Sequence, residues 1–112
     1  MAEQDQNEAQ KMMMEMQQTQ QKMQQISVKK EETEEEIDGI TKALEELEKE
    51  EGGNVYQSVG EIMVERDRDS LEEDLEERKS DLEARIETLE KQESRLEDKL
   101  EESQKKFSDQ MQ

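Results

Sequence analysis

From Ala9 to Leu47 one rule holds without a break: the positions able to face a partner recur at alternating spacings of three and four. Ala9, Met16, Met23, Lys30, Ile37 and Leu44 form one series of sevens; Met12, Thr19, Ile26, Thr33, Ile40 and Leu47 form the other. These are the a and d positions of a heptad repeat, so the segment reads as one helix of a coiled coil. Proline occurs nowhere, and Gly52-Gly53 is the first helix stop. Beyond a short interruption the pattern resumes. Leu75, Leu82, Leu89, Leu96 and Ser103 recur every seventh residue, with Lys79, Ile86, Glu93, Leu100 and Phe107 as companions; Leu71 and Met111 fall one position off this seam. Ser70, with Glu73 three residues later, reads as the capping box that opens the second helix.

Two arms of matching length predict an antiparallel pair. If the numbers of facing residues total 119, Met12 meets Phe107, Met23 meets Leu96, Ile37 meets Leu82 and Leu44 meets Leu75. The polar intruders Lys30 and Glu93 then meet Leu89 and Ile26, and the long stem of Lys30 covers apolar surface while its charge reaches water. Totals of 112 and 126 keep the same heptad phase and remain open. On the outer faces Glu45 with Lys49, Glu87 with Lys91 and Glu101 with Lys105 are expected i,i+4 pairs. The seam is thin, and two such helices are marginal alone.

Composition narrows the function. Only 28% of the 112 residues are hydrophobic and 45% are charged, too little apolar surface for a compact globule. That balance also marks disordered chains, but the sustained periodicity argues for helices. Cys, His and Trp are absent, which removes disulfides, thiolate catalysis and His or Cys metal ligation. No cofactor is expected, and two paired helices without a cleft make an enzyme improbable. A net charge of −18 opposes nucleic acid and anionic membrane as partners and suits solubility in concentrated salt. No apolar run is long enough to span a bilayer, and no signal-peptide core follows Met1; a cytoplasmic location is the default expectation.

The interruption, GGNVYQSVGEIMVERD at residues 52–67, gathers Val55, Val59, Ile62 and Val64, all β-branched. Gly60 is the natural turn residue, and a two-residue type II′ turn at Gly60-Glu61 sets Val59 against Ile62 and Gln57 against Val64. One face then holds Val55, Val59, Ile62 and Val64; the other holds Tyr56, Ser58, Met63 and Glu65. A lone two-stranded hairpin is marginal in water and leaves two open edges. Several such hairpins meeting edge to edge in a shared sheet or barrel remove both problems. A hairpin folded back on its own arms is the alternative.

The fold class expected is therefore dominated by α-helix: an antiparallel two-helix coiled coil joined by a single β-hairpin that contributes to an oligomeric β-barrel. It forms one domain over residues 1–112, with arms at about 5–51 and 70–111 and the hairpin at about 54–67. The order of arm, single hairpin and arm, with VYQSVGEIMVERD at its centre, resembles the β subunit of the prefoldin family. QQISVKKEETEEEIDGITKALEELEKE and SLEEDLEERKSDLEARIETLEKQESRLEDKL resemble that family's first and second arms. The likeness runs from about Gln24 to Met111 and is closest to the archaeal type; the acidity fits a halophilic source. It departs at KMMMEMQQTQQKM, where the family shows more Gln and Leu.

The resemblance implies a hexamer of two α and four β subunits, whose hairpins build a central barrel from which the coiled-coil arms hang. It implies a chaperone that holds unfolded polypeptide clients at the arm tips without ATP and passes them to a group II chaperonin. Val55, Tyr56, Val59, Gly60, Ile62, Met63 and Val64 are then the assembly residues. Met12, Met13, Met14, Met16, Phe107 and Met111 are the client-binding candidates, because Met is unbranched and adapts to irregular apolar partners. Met12, Met16 and Met23 lie on the seam, so ordinary packing is the first reading for these three. Met13 and Met14 lie off it and face outward or sideways. The competing reading is a coiled-coil scaffold or adaptor that docks one specific folded protein.

Overall fold

The computed structural model describes the backbone of residues 2–111 and the side chains of residues 6–110. Helix α1 (Ala2–Lys49) leads to strands β1 (Asn54–Val59) and β2 (Ile62–Asp67), and helix α2 (Arg68–Met111) follows. Two long helices joined by one antiparallel hairpin is the expected class. The chain forms two compact units, and both helices contribute to each. Unit 1 comprises residues 1–31 and 87–112; unit 2 comprises residues 32–86 and so contains the hairpin.

The heptad reading holds at every described seam position. On α1, Ala9, Met12, Met16, Thr19, Met23, Ile26, Lys30, Thr33, Ile37, Ile40, Leu44 and Leu47 are buried or half-buried, and almost all their neighbours are exposed. In unit 2 the core is Ile40, Leu47, Leu71 and Leu82; in unit 1 it is Leu89 with Thr19. Thr19, only 2% exposed, returns its hydroxyl to the Glu15 carbonyl at 2.8 Å, so a polar layer is buried with its donor satisfied. Cross-helix pairs fix the antiparallel sense inside each unit. In unit 1, Gln110 Nε2 donates to Glu8 at 2.8 Å and Lys30 reaches Glu90 at 3.5 Å. In unit 2, Arg78 donates twice to one oxygen of Glu36, at 2.6 and 3.2 Å. The first two pairs fall within one residue of the 119 register, and Glu36 with Arg78 reaches a turn to one side of it.

Three local expectations are corrected. The second helix opens at Arg68 rather than Ser70, because the Asp67 carboxylate accepts the Ser70 N–H at 3.1 Å and is itself the N-cap. Leu71 is not off the seam but buried at 6%; at this end the heptad position, Glu72, carries a charge that turns to Arg68 at 2.9 Å. Lys49 pairs with Glu46 at 3.1 Å, and Lys106 with Glu102 at 3.3 Å, in place of the Glu45–Lys49 and Glu101–Lys105 pairings; Glu87–Lys91 is present at 3.9 Å. These surface pairs are exposed, so little separates one choice of carboxylate from the next.

The hairpin has the register read from the sequence: Val59 opposes Ile62 and Gln57 opposes Val64. Gly60 has φ of 60° and Glu61 does not enter the left-handed region, as a type II′ turn requires. The first helix ends at Lys49, and Gly52 and Gly53 take φ of 74° and 85° to turn the chain into β1.

Candidate functional site

Two surfaces of the chain leave large apolar side chains uncovered, one in each unit. In unit 2 it is the hairpin. The face carrying Val55, Gln57, Val64 and Arg66 is half-buried near the strand roots. Toward the turn the same face leaves Val59 and Ile62 at 51% and 62% exposure, and the opposite face leaves Tyr56 and Met63 at 64% and 65%. Four large apolar side chains thus stand uncovered on one two-stranded sheet, whose outer edges offer unpaired backbone groups.

The roots are held by arginines. Arg66 donates to Gln57 at 2.9 Å and pairs with Asp74 on α2. Arg68 donates its Nε to the Leu47 carbonyl at 2.9 Å, while its Nη1 meets Asp69 and Glu72, each at 2.9 Å. The Leu47 carbonyl, in the last turn of α1, accepts the Glu50 N–H at 3.2 Å as well, so the guanidinium adds a second donor to a helix C-terminal carbonyl.

In unit 1 the two helices leave grooves between them. One is lined by six charged side chains, Glu8, Lys11, Glu15, Lys99, Glu102 and Lys106, together with Met12 and Ser103. Its charges are equal in number and partly paired, as Lys106 with Glu102 shows. The second groove, of about 280 Å³, is lined by Met13, Met16 and Phe107 with the amides of Gln17, Gln20 and Gln104. No charged residue lines it, although 45% of the chain is charged. Its size lies just under the range of small-molecule pockets, ~300–1,000 Å³, and suits a side chain with its adjoining backbone.

The methionine candidates therefore divide. Met13, Met16 and Phe107 come together in the uncharged groove, whereas Met12 lies in the charged one. Met14 is 59% exposed and lines neither. The Met111 side chain lies outside the described residues. Gln17, Gln20 and Gln104 were not singled out by the sequence; the signal for Gln104 was its place three residues before Phe107, on the face that the 119 register turns toward Met16.

The prefoldin subunit family model matches residues 10–112. The crystal structure of the prefoldin beta subunit from Thermococcus strain KS-1 aligns with a TM-score of 0.81 at 30% identity, over 91% of this chain and 90% of that one. The chain belongs to the prefoldin subunit family. It is of the β type, with the one hairpin between two arms that this reading expects. No curated protein sequence matches it significantly. Prefoldin subunits are chaperone subunits that work in heteromeric complexes. Among the described residues no helix is long and apolar enough to cross a membrane.

Proposed function

We propose that this prefoldin subunit is an ATP-independent holdase that captures non-native polypeptides in the uncharged groove of unit 1 and delivers them to a group II chaperonin. The observation that carries the reading is the groove itself. Met13, Met16 and Phe107 supply adaptable apolar surface, and three glutamine amides supply donors and acceptors suited to an extended backbone. A folded partner would present its own fixed side chains; an unfolded segment presents apolar groups and unpaired peptide bonds together.

Assembly completes the mechanism. Hairpins of two α and four β subunits join edge to edge in a central barrel, with Val55, Tyr56, Val59, Gly60, Ile62, Met63 and Val64 at the joints. Each chain's groove binds weakly, and several grooves on one assembly raise the effective concentration of the next contact. No step requires a cofactor, and the cytoplasm is the proposed setting. The test is suppression of aggregation of an unrelated unfolded enzyme by the assembled complex. Replacing Met13 and Met14 with Ser is expected to lower that suppression several-fold. Full retention removes the two residues from the site, and a complex that binds only one folded protein points to an adaptor instead.

A further inference from the structure

The chain holds no Cys, His or Trp, yet it holds eight Met, and all but Met63 belong to unit 1. Thioethers are therefore its most readily oxidised side chains. Met13 and Met14 are 48% and 59% exposed, whereas Met12, Met16 and Met23 are half-buried on the seam. Met13 lines the uncharged groove together with Gln17, its i+4 neighbour on the same helix face.

We propose that Met13 is a peroxide-responsive modification site that switches the groove from apolar to polar, with its exposed neighbour Met14, outside the groove, oxidised alongside it. The inference rests on the holdase reading above and adds a control to it. In the reaction the thioether sulfur gives an electron pair to one oxygen of hydrogen peroxide. The O–O bond breaks and an S–O bond forms; the second oxygen takes the proton of the first and leaves as water. Sulfur is oxidised by two electrons and the peroxide is reduced. The product is a polar sulfoxide, reversible by a methionine sulfoxide reductase. A sulfoxide oxygen on Met13 is a strong acceptor, and the Gln17 amide in the same groove is a donor. Their hydrogen bond would occupy the groove from within and leave an apolar client segment facing polar atoms.

The experiment uses the assembled complex of this chain with its α-type partner. The complex is treated with hydrogen peroxide and cleared of it before an unfolded enzyme is added. Peptide mass analysis is expected to find oxygen on Met13 and Met14 before Met12 or Met23, with aggregation suppression reduced several-fold and restored by sulfoxide reductase. A Met13→Leu, Met14→Leu complex has no thioether at these positions and is expected to show the same suppression after treatment as before it, whatever its untreated level. If that variant loses as much activity on treatment as the parent, the oxidation that matters lies elsewhere and the proposal falls. If the parent is oxidised at both residues yet captures as before, while an untreated Met13→Ser, Met14→Ser complex has lost capture, the groove reading stands and the switch is wrong. If the untreated Ser variant captures fully, both fall.

Discussion

Unit 1 and unit 2 are made from the same two helices and differ in almost every other respect. Unit 2 has 21 Asp and Glu against 7 Lys and Arg, a net of −14; unit 1 has 13 against 9, a net of −4. Among the described residues, unit 2 also holds four of the five buried aliphatic side chains, Ile40, Leu47, Leu71 and Leu82. Unit 1 has 13 Gln, unit 2 only Gln57. Most of the buried aliphatic surface thus lies in the more repellent unit, and the uncharged groove lies in the other. Aliphatic side chains pack with few choices of shape, whereas Met and Gln leave grooves that accept foreign groups without competing carboxylates. The denser charge over unit 2 makes its surface the more hydrated and mutually repellent of the two.

The sharpest way to break this division is at the hairpin. Changing Val59 and Ile62 to Asp sets like charges directly opposite each other on the exposed face, and is expected to abolish the large oligomer while leaving helical arms. Light scattering with circular dichroism reads both, and a full-sized assembly would mean that the hairpin is not the joint. Next in size is a pair of core truncations. Leu82→Ala in unit 2 is expected to cost about 3 kcal/mol, and Met16→Ala in unit 1 about 1–2 kcal/mol, because a half-buried side chain loses roughly half of what a fully buried one does. Hydrogen exchange should show protection falling most within the unit that carries the change; equal losses would erase the contrast.

Salt gives a smaller effect with a clear sign. Raising ionic strength from about 0.1 M to about 1 M shortens the screening length from ~10 Å to ~3 Å, which relieves self-repulsion in unit 2 more than in unit 1. Changing Glu34, Glu35, Glu76 and Glu77 to Gln is expected to add on the order of 1 kcal/mol at low salt, a few tenths for each like-charge contact removed. It should also flatten the rise of melting temperature with salt. The matched set Glu31→Gln, Glu97→Gln, Asp98→Asn and Glu101→Gln in unit 1 should do much less. Smallest is the polar layer of unit 1, where Lys30 reaches Glu90 at 3.5 Å and Glu93 at 3.9 Å. A double-mutant cycle of Lys30→Met with Glu93→Gln is expected to return a coupling of about 0.5 kcal/mol; a value near zero would leave Lys30 as a seam-covering stem alone.

Much of this architecture was legible in the residue order because a coiled coil writes its contacts as a period. Lys30 and Glu93 were recognised as seam positions despite their charge, and the Gly60 turn fixed the hairpin register. What escaped was decided by competition among near neighbours. Asp67, Asp69 and Ser70 are all capping residues within four positions, and only backbone geometry selects Asp67. That Lys30 meets Glu93 across the helices was hidden because the two sit in adjacent layers rather than facing each other. The uncharged groove was hidden more deeply. Met13 and Phe107 are far apart in the chain, and the Gln amides beside them are ordinary helix-surface residues until a register brings them to one notch. The charge contrast is invisible to a linear reading for the same reason, since unit 1 is assembled from the two ends of the sequence.

Strand β2 ends on Asp67 and helix α2 begins on Arg68, so not one residue of slack separates them. On the other side of the hairpin four residues, two of them glycines in the left-handed region, connect α1 to β1. The ribbon is therefore welded to one helix and strung from the other. A residue added to the weld would spin the helix after it by about 100° around its axis, turning Leu75 and Leu82 away from the seam; a residue added at the glycines would disturb at most the 3.3 Å bond from the Arg68 N–H to the Gly53 carbonyl and leave the phase of both helices alone. The hairpin can thus be re-aimed at the string without disturbing the phase of the helix it is welded to.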